Sequence, residues 1–402
     1  MYKIYMYNDW FGDCFRLNDG AKNIFIDFGI HQGCLSGGIH VTINNYSSGT
    51  TIKRDDVHKT IADEIVSYEN SDLLVTHYHL DHISGLLYMK NKGYCSPIFN
   101  KVYLPDIWNL PDSKSIVALL ILKDLMDNCK LNKRECTLLE FVNFLCTNVK
   151  NVELLRRGEK FDGDNFVTLW PDQELVGAMR KKVDMIEAID MLRDIINIAE
   201  ELIGIVKIVV SQGIDDEERK ACLVKFENLR ERIEDIYDED ILIGFIDKYD
   251  ILLNALGNDI SIVFQNVTSN DNNMLFTGDL SSSYISMLSN NYDKKLPMHK
   301  KYKYIKIPHH GTKGANDSHY YDFSTYEPDV LIFPNGECST SSYKISNNYK
   351  KDITSIASKG IIKVYCSNSN YCEMNKTGKA CDCQCGASVT NIVFPNISME
   401  VM

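Results

Sequence analysis

Residues 71–87 read SDLLVTHYHLDHISGLL. Leu73, Leu74 and Val75 make a short apolar run that predicts a buried strand ending at Thr76. His77, His79, Asp81 and His82 follow at once, three imidazoles and a carboxylate within six residues. A polar surface loop has no need of that density of ligating groups, and imidazole with carboxylate suits zinc, manganese or iron. Two residues apart, His77 and His79 project the same way from an extended segment. A turn beyond them carries Asp81 and His82 toward a second ion, and Gly85 lets a helix begin close to the site.

Upstream of this stretch, KIYMYN, CFRLN and NIFIDFG are β-rich runs separated by Gly, Asn and Asp, and Asp27 closes the third. Residues 31–58 read as a long loop or hairpin, and 57–68 as a helix. Downstream, 113–149 is helical in pattern and 161–171 returns to strand. Strand signals recur at 260–265, 273–277, 304–307 and 330–333. Alternating strand, loop and helix predict a layered α/β protein. Two strand-rich parts, 1–177 and 257–402, flank a helical insertion at 178–256. In that insertion Met185, Ile189, Leu192, Ile196, Ala199, Ile203, Val206 and Val210 alternate spacings of four and three, and Cys222, Phe226, Leu229, Ile233 and Ile236 repeat them. The spacing predicts an antiparallel helical hairpin that projects from the core. Its stripes either bury each other or serve a homodimer or a protein partner.

The chain has 402 residues, 44% of them hydrophobic, enough for one large core or two modest ones. No apolar run nears the roughly 18 residues that cross a bilayer, and the first residues lack the pattern of a signal peptide. The expectation is a cytoplasmic protein with no membrane contact. The net charge of −12 argues against wrapping nucleic acid. Much of that excess sits in one place, since residues 214–250 hold 13 acidic and six basic side chains. Ahead of a histidine pair lies the opposite pattern: Lys294, Lys295, His299, Lys300, Lys301, Lys303 and Lys306. This strip reads either as a phosphate-binding surface or as a solvated face.

At its histidine cluster the chain resembles the metallo-β-lactamase superfamily, whose H-x-H-x-D-H motif follows a β-strand and is matched at His77, His79, Asp81 and His82. Further likenesses come in the family's order. Asp27 in IDFG matches the early aspartate, Asp279 in LFTGD the late aspartate, and His309-His310-Gly311 in IKIPHHG the late histidine. Within the superfamily, GDCFRL, DHISGL, NDISIVF, LFTGD and KIPHHGT look like the hydrolase domain of ComEC-type DNA-uptake proteins. The resemblance covers roughly residues 1–175 and 257–365. It implies a four-layer αββα sandwich with a helical-hairpin insertion and one or two divalent metal ions, zinc or manganese. The ligands would come from His77, His79, Asp81, His82, Asp279, His309 and His310, with Asp81, His82, Asp279 and His310 catalytic. It also implies a hydrolase, foremost a phosphodiesterase or nuclease acting through a metal-bound hydroxide, with relatives in bacterial defence. One departure stands out: no histidine occurs between His82 and His299, where most members carry a further ligand. His309 or His310 would then complete the first metal site, or a single ion is held.

Around such a centre Lys300, Lys303 and Lys306 would hold a phosphodiester, and Asn258 and Ser261 would contact a phosphate oxygen. Cys366, Cys372, Cys381, Cys383 and Cys385 offer enough sulfur for a structural zinc. Free reduced thiols and a redox or iron–sulfur role are the alternatives. His31, His40, His58 and His319 stand alone in the sequence and read as loop residues, His31 being of interest for its place after Asp27. Against the nuclease stand two other readings: a small-molecule ester, lactone or thioester hydrolase on the same metals, and a catalytically weakened fold that acts as an interaction module.

Overall fold

Period-two alternation in the first strands decides how the layers stack. In β1 (Lys3–Tyr7), β2 (Phe15–Asn18) and β3 (Asn23–Ile26), Ile4, Met6, Phe15, Leu17, Ile24 and Ile26 enter one apolar cluster, while Tyr7 and Phe25 enter another. Successive side chains on a strand point to opposite faces, so a sheet with both faces apolar is covered on both. The computed structural model describes residues 2–7, 11–31, 39–40, 51–52, 54–94, 97–131, 133–172, 174, 190–211, 216–312, 318–335, 345–349, 351, 363–366 and 398–400. These form a mixed α/β structure with two seven-stranded mixed sheets and a two-stranded ribbon of β4 (Ile39–His40) and β5 (Thr51–Ile52).

The first sheet runs β16-β1-β2-β3-β6-β7-β8, with β6 (Ser71–Leu74), β7 (Phe99–Pro105), β8 (Val149–Leu155) and β16 (Ser398–Glu400). The second runs β15-β14-β13-β12-β11-β10-β9, from β9 (Lys160–Phe161), β10 (Phe166–Trp170), β11 (Val263–Asn266) and β12 (Met274–Phe276) to β13 (Tyr304–Lys306), β14 (Val330–Phe333) and β15 (Lys363–Cys366). Strand directions repeat between them. Strands β1, β2 and β3 are antiparallel neighbours, and β3, β6, β7 and β8 are parallel. Likewise β10, β11 and β12 are antiparallel, and β12, β13, β14 and β15 are parallel. The sheets face each other through a shared cluster in which Phe15 meets Phe276 and Tyr103 meets Phe161, at ring separations of 5.6 and 5.1 Å.

Strands β9 and β10 precede residue 177 yet belong to the second sheet, and β16 brings the chain's end back to the first. Neither sheet therefore coincides with a continuous part of the chain.

Helices α1 (Arg54–Val66) and α2 (Leu80–Asn91) pack with Phe25 and Leu73 in the larger cluster. So do α3 (Ser113–Cys129) and α4 (Thr137–Asn148). The insertion is three helices among the described residues: α5 (Asp190–Val210), α6 (Asp216–Ile236) and α7 (Glu239–Asp259). It does not project as a two-helix hairpin. Helices α5 and α7 pack chiefly on α3, and α6 packs on α4. The reason is the breadth of the apolar face. On α5, Leu192, Ala199, Ile203 and Val206 of the expected stripe are buried, but so are Ile195, Ile198, Leu202, Ile205 and Val209 of the adjacent one. A helix apolar over that much of its circumference belongs in a core, not on a coiled-coil seam. Met185 and Ile189 lie outside the described residues, as do Cys372, Cys381, Cys383 and Cys385. Cys366 falls on β15. Among the described residues, no helix is long and apolar enough to cross a membrane. Helix α8 (Ser282–Ser289) follows β12, and its Tyr284 lies against Trp170 at 4.7 Å.

Candidate metal centre

Each functional side chain leaves the C-terminal end of a strand or the turn beside it. Asp27 follows β3, the His77–His82 loop follows β6, Asp279 follows β12, and His309 and His310 follow β13. Three backbone segments stack to form the floor. Asp13 N donates to Asp81 O at 3.0 Å, Phe28 N to His82 O at 2.7 Å, and Gly85 N to Phe28 O at 2.9 Å. The approach requires glycine: a Cβ on Gly29 would lie 2.4 Å from His82 N, and one on Gly12 would lie 2.0 Å from Gly29 O. Any side chain there would push the motif loop out of place.

Asp27, at φ 57, anchors the centre from beneath. Its carboxylate accepts from Thr76 N at 2.7 Å and Thr76 Oγ1 at 2.6 Å, and it faces His82 Nδ1 at 2.8 Å. The other ring nitrogen of His82 is thereby turned inward. His82 Nε2 lies 3.3 Å from Asp279 Oδ2, and His310 Nε2 lies 3.5 Å from the same oxygen and 3.3 Å from Asp81 Oδ2. Among the described residues, the compact groups able to share an ion are His77, His82 and Asp279; Asp81, His82 and His310; and Asp13, Asp27 and His82. His77, His82 and His310 are fully buried.

His79 and His309 stand beside these groups. His79 Nδ1 faces His77 Nε2 at 3.1 Å, and its Nε2 abuts Gly257 at the end of α7. The His309 ring stacks on His319 at 4.1 Å, and its Nδ1 meets Thr312 Oγ1. His309 and His310 both take left-handed backbone conformations, φ 48 and φ 56. Such residues store strain of about 1–3 kcal/mol each and persist where their surroundings hold them. Here Asn335 Nδ2 donates to His310 O at 3.1 Å, and Thr312 N donates to His309 O at 2.9 Å.

The electrostatics fit cation binding. Asp13, Asp27 and Asp279 gather around one ammonium, that of Lys306. Burial disfavours the charged form of His82, yet Asp279, Asp27 and Asp13 hold it well above the ordinary imidazole value. Against the same burial, Asp279 and Asp13 push His310 up to about 10. His77, by contrast, is held well below by burial and by His82 and His79. Asp279, though buried, stays well below the usual carboxylate range because of His310, Lys306 and His82. His79, His82 and His310 each bury an Nε2 without a hydrogen-bond partner. Inward-facing imidazole nitrogens beside carboxylate oxygens make a donor set able to hold a metal ion.

Lys306 is buried inside the centre, 2.5 Å from Asp13 Oδ2 and 3.2 Å from Asp279 Oδ1. Lys300 and Lys303 precede β13, whereas the centre lies beyond its far end, so a strand rising about 3.3 Å per residue separates them from the chemistry. Lys303 Nζ instead donates to Asn272 Oδ1. Ser261 is fully buried, and its Oγ accepts from Asp279 N at 3.0 Å, supporting the aspartate's backbone. Asn258 is likewise enclosed.

Sequence reasoning singled out neither Asp13 nor Thr76, and it assigned Lys306 to a surface. A lone lysine between Ile305 and Ile307 in a β-run was the available signal. His58 is a buried residue of α1 against Phe28, not a loop residue. His319 is buried beside His309, with no local pattern to mark it. His31 packs edge-on to Phe11 next to the centre. No known protein family matches the chain, and a search of curated proteins finds no match.

Proposed function

We propose that the chain is a metal-dependent hydrolase with a metallo-β-lactamase-like αββα sandwich. The observation that carries this reading is the meeting of His82 Nε2 and His310 Nε2, buried and without hydrogen-bond partners, on Asp279 Oδ2 within 3.3–3.5 Å. His77, Asp81, His82, Asp279 and His310 would hold zinc or manganese there. A divalent cation supplies Lewis acidity toward water and toward a phosphoryl or carbonyl oxygen. The chain's own groups do the rest. Asp27 fixes the His82 ring, Pro334 O lies within hydrogen-bond reach of His310 Nδ1 at 3.1 Å and orients it with Asp13 Oδ1 facing the same nitrogen at 3.0 Å, and Asp81, the most accessible of the four carboxylates, would take a proton from water. Burial of the other ligands excludes bulk water from the cation's inner side.

A phosphodiester is the substrate class proposed, on the likeness of GDCFRL, LFTGD and KIPHHGT to ComEC-type hydrolase domains. The displacement of Lys300 and Lys303 from the centre favours a second reading, a small ester, lactone or thioester, because no lysine strip then reads a polyanion. Purified protein with manganese or zinc, incubated with single-stranded DNA, double-stranded DNA, RNA and an aryl ester, separates the two. Cleavage of nucleic acid that is lost in Asp279→Asn supports the phosphodiesterase. Ester turnover alone assigns the second reading, and no turnover of either rejects both.

A further inference from the structure

We propose that this centre holds one divalent cation, and that Lys306 stands in place of a second. The inference rests on the metal-dependent reading above. The two groups nearest the proposed chemistry, His77 with Asp279 and Asp81 with His310, both depend on His82. His82 has one nitrogen to offer, since Nδ1 is engaged by Asp27 at 2.8 Å and Asp27 is itself gripped by Thr76. A single imidazole lone pair binds a single ion, so the two groups compete for the same atom.

Asp279 is divided in the same way. Its Oδ2 borders His82 and His310, while Oδ1 faces Lys306 Nζ at 3.2 Å. A carboxylate whose second oxygen is taken by an ammonium has one oxygen left for metal. Lys306 cannot swing aside: it is 1% exposed, sits between Ile305 and Ile307, and donates to Gly278 O at 2.9 Å besides facing Asp13 Oδ2 at 2.5 Å. An ammonium is a compact point charge that occupies an ion's place between two carboxylates. Asp13 links it to the ligands, with Oδ2 on Lys306 and Oδ1 on His310 Nδ1. Lys306 and Asp13 are thus positioning residues.

Manganese titration of metal-free full-length protein, followed by electron paramagnetic resonance, tests the proposal. Thiols bind manganese poorly, so the cysteine-rich segment does not enter the count. The expected result is saturation at about one ion per chain, with the spectrum of an isolated ion; two-metal centres place their ions about 3.5–4 Å apart, where they couple. Two exchange-coupled ions per chain would overturn the inference and leave the hydrolase reading standing. No bound ion would overturn both. Lys306→Arg should keep the count at one. Lys306→Met should raise it toward about two, because Asp13 and Asp279 then face each other without a counter-charge. A count still at one in a folded Lys306→Met protein would remove Lys306 from the role. Should that variant fail to fold, the wild-type count and spectrum decide.

Discussion

Two aspartates in the centre have opposite consequences when removed, because burial assigns them different work. Asp27 is fully enclosed and holds Thr76 N, Thr76 Oγ1 and His82 Nδ1 at once. Asp81 is partly exposed and faces His310 Nε2 at 3.3 Å. Breaking a buried charge pair from one side costs about 3–5 kcal/mol. Asp27→Ala should therefore lower metal-free stability by about 3 kcal/mol or more, read by denaturant unfolding. Asp81→Ala should change it by less than about 1 kcal/mol while abolishing hydrolysis. Equal destabilisation by the two would mean that Asp81 is structural and would remove it from the chemistry.

At the scale of elements, the insertion is decided by which face of each helix is apolar. Helix α6 buries Cys222, Phe226, Leu229 and Ile233, one stripe that faces α4. The contact is reinforced by Arg230, which grips Glu140 with Nε at 2.6 Å and Nη2 at 2.8 Å, and by Arg219, whose guanidinium donates to Val149 O at 3.2 Å. Helix α5 is buried along two stripes and lies on α3. Leu202→Ala should cost about 2–5 kcal/mol, the range for a large core residue. Removing residues 183–237 should unfold the chain, as judged by loss of the cooperative thermal transition. A folded deletion protein with altered mass in light scattering would restore the projecting hairpin and its interface.

For the whole molecule, the repetition of strand directions matters more than any single contact. The third strand of each series ends near an aspartate, Asp27 or Asp279, and the fourth ends near histidines, His77 or His309 and His310. The two sheets thus deliver like residues to one place at the carboxyl ends of parallel strands, where open α/β sheets place their sites. The same geometry puts Lys300, Lys301 and Lys303 at the opposite end of β13. Reversing all three to Glu should leave turnover of a phosphodiester within about twofold and its salt dependence unaltered. A flattened salt dependence, the sign of lost phosphate contacts, would return the lysines to the substrate path.

The sequence by itself determined the parts that are local. A buried strand followed by H-x-H-x-D-H announces ligands because the strand ends where the imidazoles begin, and strand alternation announces a layered α/β protein. Asp27, Asp279 and the His309–His310 pair were marked only by the resemblance of their motifs to the metallo-β-lactamase superfamily, which left the choice between the two histidines open. Only the tertiary structure decided which of these residues meet. His79 and His309 look equivalent to His77 and His310 on paper, yet one abuts Gly257 and the other stacks on His319. Lys306 reads as the end of a basic strip, and the strand's direction turns it into the counter-charge of Asp13 and Asp279. The heptads of the insertion were visible, but not their partners, since a periodic apolar face specifies that something must cover it and not what does. Distance along the chain carries no information about such pairings: Asp13 and Lys306 come together because two sheets close face to face.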